Sequence, residues 1–275
     1  MIKQPMMQSP ALKKIKRIAL ITREDEQNYP REELISLLSP HQIELVEGAG
    51  FSEVDLILAL GGDGTVLRAI SAYPQAPALA VNYGQVGFLT QCDREDLEYV
   101  VSRVLKQDYF VEERLALEVI HQGVDGHSLG TWRCINEVVF KGVIHMNELT
   151  LNIDGHYIHT ARGDGLIVGT PTGSTAYLMS SGAPLVTPGV SCIIANPLNE
   201  YRFSSRSIIL PGEAELSVNI LHCRENDLMM IIDGNQPLML KENDKVLIRR
   251  STVPTLLVAF EPQYFFRNLK QRLNW

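Results

Sequence analysis

The stretch Val54-Asp55-Leu56-Ile57-Leu58-Ala59-Leu60-Gly61-Gly62-Asp63-Gly64-Thr65 decides how the first half of the chain folds. An apolar strand over 54–60 runs into three glycines set around one carboxylate, and a helical pattern follows over 65–71. Glycine adopts backbone dihedrals closed to other residues and lets the main chain approach a ligand. Such a turn can therefore aim N–H groups at phosphate oxygens while Asp63 projects toward reacting atoms. The positive N-terminal end of the helix adds to the attraction for an anion. The same residues also suit a plain strand-to-helix turn, so the rest of the chain has to choose between the two.

Around that turn, strand-like and helix-like segments alternate through the first hundred residues. Strands are expected over 15–21, 43–46, 54–60 and 78–81, and helices over 31–38, 65–71 and 94–106. This alternation predicts a doubly wound parallel α/β domain over 1–108, with ligands bound beyond the carboxyl ends of the strands. Asp63 and the segment Asn82-Tyr83-Gly84-Gln85-Val86-Gly87-Phe88 both fall at that edge. From Tyr109 the period changes to two, as in Leu149, Leu151 and Ile153, which predicts a mostly antiparallel, β-sandwich-like domain over 109–259. Asp154-Gly155 between two β-type runs signals a type I′ hairpin. One helix is expected near Ser174, and a last one over 260–275 that packs back on the first domain.

The chain has 275 residues, 45% of them apolar, enough for a buried core in each domain. Its net charge of −7 argues against a nucleic-acid or anionic-membrane partner, both of which need a basic face. Cys92, Cys134, Cys192 and Cys223 are widely spaced, which disfavours a zinc site or disulfide framework and fits a reduced, cytoplasmic protein. No apolar run approaches the length of a membrane span, and Lys13-Lys14-Ile15-Lys16-Arg17 precedes only a short apolar stretch.

The segment from Arg162 to Gly182 holds a second Gly-Asp-Gly at 163–165 and the small-residue run Gly169-Thr170-Pro171-Thr172-Gly173-Ser174-Thr175. Free N–H groups at a helix start, joined by the hydroxyls of Thr172, Ser174 and Thr175, can hold phosphate or ribose oxygens without a lysine. Alternatively, Ser174 or Thr175 caps the helix. Asn136-Glu137 sets an amide beside a carboxylate. On a regular strand they face opposite sides, so both reach one cleft only at a bulge or strand end. His156 and His159 face opposite ways on a strand, which disfavours a metal site. Asp233-Gly234 reads first as a turn, and Phe88 as core or as a stacking platform. Arg162 is a natural cation for a phosphate.

Taken in order, Gly61-Gly62-Asp63-Gly64-Thr65, Asn82 through Thr90, Asn136-Glu137-Val138-Val139, and Asp164-Gly165-Leu166-Ile167 followed by Thr170-Pro171-Thr172-Gly173-Ser174-Thr175-Ala176-Tyr177 resemble the NAD kinase family over about residues 55 to 250. The Gly-Gly-Asp-Gly loop alone is shared with diacylglycerol and sphingosine kinases, so a lipid kinase is the second reading and a non-catalytic NAD(P) sensor a third. The resemblance implies transfer of the γ-phosphoryl of ATP to the adenosine-ribose 2′-hydroxyl of NAD, with a divalent metal, Mg²⁺ by expectation. It implies that Asp63 is the catalytic carboxylate, as base or metal ligand, and that Gly64 faces the phosphates. Phe88 would lie by the adenine, Asn136 and Glu137 by its ribose, and Asp164 by the nicotinamide. Thr172, Thr175, Ala176, Tyr177 and Ser180 would line the dinucleotide pocket. Arg68, His145, Arg162, Asp233 and Gln236 are counted with the substrate-binding residues. The resemblance also implies a homo-oligomer, a dimer or tetramer, with sites completed across a subunit contact.

Three places depart from the family pattern: Gly169 for a usual serine, Ser181-Gly182-Ala183-Pro184 for Ala-Gly-Gly-Pro, and Ala195-Asn196-Pro197-Leu198-Asn199-Glu200-Tyr201 before Ser204-Ser205-Arg206. None removes a residue assigned to chemistry.

Overall fold

The computed structural model describes residues 7–8, 14–23, 29–84, 87–201, 206–225, 227–262 and 264–273. Gln85 and Val86 of the expected ligand loop, and Ser204-Ser205, lie outside the described residues. The chain divides into two compact units, one of Met1–Arg114 with Val253–Trp275, the other of Leu115–Thr252.

In the first unit, strands Glu44–Glu47, Arg17–Thr22, Leu56–Gly61, Ala78–Asn82 and Thr255–Ala259 lie side by side and parallel. Leu56–Gly61 is buried along its whole length, which is what a central parallel strand requires and why its sequence reads as an unbroken apolar run. Helices Arg31–Leu38 and Leu97–Leu105 share one apolar cluster with Ile18, Leu20, Leu56, Leu58, Leu60, Leu79 and Val81. Helix Asp63–Ala72 packs on the same strands, but its buried Val66, Ala69 and Ile70 lie outside that cluster, so helices cover both faces. The change of period at Tyr109 assigned Phe110–Arg114 and Thr255–Ala259 to the β-rich half. Both instead extend this sheet, antiparallel to each other, because a strand's own pattern does not say which sheet it joins. Helix Tyr264–Leu273 follows, with Tyr264, Phe265 and Asn268 buried.

The second unit holds two antiparallel six-stranded sheets. One runs Ile208–Pro211, Cys192–Leu198, Gly165–Gly169, Glu137–Gly142, Leu228–Ile232, Leu238–Met239, and the other His156–Gly163, Asn147–Ile153, Leu216–His222, Lys245–Arg250, Leu117–Gln122, Ser128–Cys134. Alternate residues of both sheets meet in one core, Val138, Phe140, Leu166, Val168 and Met230 against Leu149, Leu151, Val218, Val246 and Ile248. The hairpin turn has positive φ at Asp154 (49°) and Gly155 (78°), as type I′ demands.

The helix expected near Ser174 is shorter than its sequence suggests. A single 3₁₀ turn, Gly173–Thr175, is followed by one α-turn, Tyr177–Ser180, because Ala176 leaves the helical region at φ −105°, ψ −129°. The segment is held instead by Leu178, Ala183 and Val186, which pack with Val139, Ile167 and Ile194 on the outer face of the sheet. No helix of the described residues is long and apolar enough to cross a membrane.

Candidate functional site

In the first unit the site grows from the carboxyl end of Leu56–Gly61. Gly62, with extended backbone, precedes helix Asp63–Ala72, and Asp63 is its first residue. A carboxylate there is favoured by the helix dipole. Its two oxygens are fixed by a second loop: Oδ2 accepts from the Phe88 N–H and Oδ1 from the Leu89 N–H, both at 3.0 Å. Gly87 makes this possible, since a Cβ there would lie 2.9 Å from Asp63 Cγ and closer still to Oδ1. Two amides occupy two of about four lone-pair positions on the carboxylate, leaving the others to face the cleft.

That cleft, about 680 Å³, is lined by Arg23, Gly62, Asp63, Gly64, Arg68, Tyr83 and Arg272 among others. Three arginines thus line the same cleft as this carboxylate in a chain that is acidic overall. Arg68 also donates to the Thr22 carbonyl. Phe88 is buried, and its backbone N–H is the group with a defined task; the Arg272 guanidinium lies 5.9 Å from its ring centroid. Among the described residues no cluster of three or more His, Cys, Asp or Glu side chains could cage a metal. Mg²⁺ carried by phosphates needs only one or two protein carboxylates, and Asp63 fits that requirement.

In the second unit three strand ends meet. Glu137 opens the strand Glu137–Gly142, Gly169 closes Gly165–Gly169 opposite it, and Asp233 follows Leu228–Ile232. Asn136 and Glu137 therefore sit at a strand end, the condition that lets both serve one site. The Asp233 carboxylate gathers the preceding turn, accepting from Ile135 N–H (2.7 Å), Asn136 N–H (2.7 Å) and Glu137 N–H (3.2 Å). Thr170 ties the facing segment by donating its hydroxyl to the Ile135 carbonyl at 2.6 Å. Gly173 comes so close that a Cβ would lie 2.6 Å from the Asn136 carbonyl carbon and 2.9 Å from Glu137 Oε2. Glu137 is buried and its Oε2 has no partner among the described residues. Burial, reinforced by Asp233 and partly offset by the Tyr177 amide, pushes its carboxyl up to about 8.

The hydroxyls of the small-residue run are used differently from expectation. Ser174 is fully buried and donates to the Pro171 carbonyl (2.7 Å), and Thr175 donates to the Thr172 carbonyl (3.1 Å), so both brace the backbone. Thr172 is buried, Ala176 half-buried, and Tyr177 and Ser180 are exposed at the rim of the same segment. Gln236 is exposed, just past the turn that carries Asp233.

Asp164 and His145 lie beyond the other end of the same sheet, and Arg162 lies on strand His156–Gly163 of the other sheet. Asp164 links two strands opposite Gly142, accepts from Asn199 Nδ2 at 2.8 Å, and its carbonyl takes the Gly142 N–H. His145 is half-buried with Nδ1 3.4 Å from Asp227. Arg162 is exposed and pairs with Glu148 at 3.3 Å. The arginines that line the Asp63 cleft are Arg23, Arg68 and Arg272; sequence reading missed the first and last, which no local pattern connects to Asp63.

Two family models match this chain, the ATP-NAD kinase N-terminal domain over residues 13–109 and the ATP-NAD kinase C-terminal domain over 135–260. An NAD kinase of Geotalea daltonii is 33% identical over 81% of this chain and 79% of its own length. One of Symbiobacterium thermophilum is 34% identical over 83% and 81%, and one of Marinobacter nauticus 32% identical over 89% and 84%. Among solved structures, the yeast NADH kinase complexed with NADH superposes with a TM-score of 0.89 at 21% identity, covering 100% of this chain and 92% of that one, a likeness of fold. An NAD kinase from Archaeoglobus fulgidus in complex with ATP gives 0.74 at 25% identity, covering 93% and 98%. With both halves matched and relatives above 30% identity over four-fifths of its length, the chain belongs to the NAD kinase family.

Proposed function

We propose that this chain transfers the γ-phosphoryl of ATP to the adenosine-ribose 2′-hydroxyl of NAD, giving NADP and ADP. The observation that carries the reading is the Asp63 carboxylate, locked by two backbone amides at a helix N-terminus in an arginine-lined cleft. Phosphoryl transfer asks for positioning and charge neutralisation more than for covalent chemistry, and this arrangement supplies both. As the oxygen–phosphorus bond forms and the bond to ADP breaks, the hydroxyl proton passes to Asp63. The first-turn amides at Asp63 and Gly64, together with Arg68 of the same helix, bind the phosphate chain. Were Asp63 a metal ligand instead of the base, it would hold a phosphate-bound Mg²⁺, which would supply neutralisation of the charge that develops on the transferred group.

Asn136 reads an amide or base edge, and Glu137, mostly protonated at neutral pH, donates to or shares a proton with a ribose hydroxyl. Thr172, Thr175, Ala176, Tyr177 and Ser180 form the wall beside them, and Asp233 positions Asn136 and Glu137 through their amides. Asp164, Arg162 and His145 serve the nicotinamide side. The place of Asp164 and His145 at the far end of the sheet from Glu137 supports a homo-oligomer in which one copy completes the site of another. The four cysteines are free, in keeping with a reduced, cytoplasmic setting.

The test is NADP formation from NAD, ATP and Mg²⁺ by the purified chain beside Asp63→Ala. Turnover abolished in the variant supports the reading. NAD binding without turnover in the wild type refutes it.

A further inference from the structure

The three arginines of the phosphate cleft come from three distant parts of the chain. Arg23 follows strand Arg17–Thr22, Arg68 lies within helix Asp63–Ala72, and Arg272 sits in the last turn of helix Tyr264–Leu273. The family match over the second half stops at residue 260, so the helix that bears Arg272 lies beyond it.

That helix is fixed at three points. Tyr264 is buried with its hydroxyl donating to Glu112 Oε2 at 2.6 Å and receiving a hydrogen bond from Arg114. Arg267 donates to the Gln91 carbonyl and Asn268 to the Thr90 carbonyl, both at 2.8 Å. Thr90 and Gln91 directly continue the loop whose Phe88 and Leu89 amides hold Asp63, so the helix and the carboxylate are referenced to one piece of backbone. The anchoring delivers Arg272 to the cleft and over the Phe88 ring.

A cation in a last helical turn is also explained by the helix dipole. Lys270 meets that need in the same turn, however, while Arg272 is the one that lines the cleft. A guanidinium fork matches two phosphate oxygens at once, which an ammonium cannot do.

We propose that Arg272 is a donor-binding residue whose guanidinium takes the triphosphate of ATP, making the C-terminal helix part of the phosphate site. The identity of the donor rests on the NAD kinase reading; the placement of Arg272 does not.

The experiment titrates Mg²⁺–ATP, AMP and NAD separately onto the full chain and onto Arg272→Ala and Arg272→Lys, by calorimetry, with steady-state NADP formation alongside. The expected result is ATP binding weakened about tenfold or more in Arg272→Ala, recovered only in part by lysine, with AMP and NAD affinities within about twofold of wild type. Wild-type ATP affinity in Arg272→Ala overturns the proposal. Equal weakening of ATP and NAD with a lowered melting temperature overturns it in favour of a packing role. Where Arg272→Ala fails to fold, Arg272→Gln is read by the same criteria. A wild type that binds ATP but forms no NADP refutes the kinase reading while the binding comparison still decides Arg272. A wild type that forms NADP from another phosphoryl donor and binds no ATP overturns the proposal and leaves the kinase standing.

Discussion

Gly87 and the carboxylate of Asp63 are packed so closely that no side chain fits between them: a Cβ on Gly87 would sit 2.9 Å from Asp63 Cγ. The position of the proposed catalytic group is therefore set by a residue 24 positions away that has no side chain at all. Gly87→Ala is expected to push the carboxylate off its two amides and lower kcat by about 100-fold, as small misplacements at reacting atoms do. The fold should survive, because the collision involves one loop. Steady-state kinetics with a melting curve check this, and a wild-type kcat would refute it.

Asp63→Asn tests the same group differently. An amide side chain offers one acceptor oxygen where the carboxylate offers two, so either the Phe88 or the Leu89 N–H loses its partner. NADP formation should fall by about 10²- to 10⁴-fold if Asp63 takes the proton. The Mg²⁺ dependence of the residual rate separates the roles: unchanged, it assigns Asp63 as base; shifted to much higher Mg²⁺, as a metal ligand.

Glu137 predicts a pH dependence of stability. Its carboxyl is raised from 4.5 to about 8, chiefly by burial, so the unfolded chain ionises there first. The stability carried by the protonated form is complete below about 4.5 and is lost as pH rises toward about 8. Glu137→Gln mimics the protonated carboxyl and does not suffer that loss. The melting temperature of the wild type should fall relative to the variant across this window, by several degrees, and the gap should level off above it. Parallel pH profiles would disprove the assignment.

Tyr264 is buried between Glu112 and Arg114, and burial raises its hydroxyl well above the usual range, so it stays a neutral donor. Tyr264→Phe removes the bond to a buried carboxylate and should destabilise the chain by about 1–3 kcal/mol. Urea unfolding with an unchanged m-value is the measurement.

Two departures from the family pattern touch each other. Asn196 Nδ2 donates to Ser181 Oγ at 2.8 Å and to the Ser181 carbonyl at 3.2 Å, while Ser207 donates to Asn196 Oδ1 at 2.6 Å. A double-mutant cycle of Ser181→Ala and Asn196→Ala should show a coupling of about 0.5–1.5 kcal/mol. Additive effects would mean that the two changes are independent.

What the sequence made legible was whatever local rules govern. The unbroken apolar run ending in Gly61-Gly62-Asp63-Gly64 announced a buried parallel strand and the helix start after it, and Asp154-Gly155 announced its hairpin, because each signal lies within a few residues. Arg23 and Arg272 stayed hidden because nothing in a chain ties residue 272 to residue 63 until both are packed on one sheet. The hydroxyls of Ser174 and Thr175 left two readings open for a related reason. A serine or threonine in a tight turn bonds as readily to nearby carbonyls as to a ligand, and only the fold decides. Asn136-Glu137 fell between: the residue types pointed to a site, while the strand end that serves both depends on where pairing begins.

The strand Thr255–Ala259 lies inside the first unit's sheet, between Ala78–Asn82 and Phe110–Arg114. During synthesis the first hundred residues thus emerge from the ribosome with an open slot beside Ala78–Asn82, and the residues that fill it come only after the whole β-rich unit has been made. The edge of Ala78–Asn82, capped only at its end by Cys92–Asp93, and that of Phe110–Arg114 wait through that interval, a state prone to misassociation. The second unit, continuous from Leu115 to Thr252, has no such dependence: all of its strands are made before the strand that completes the first unit's sheet.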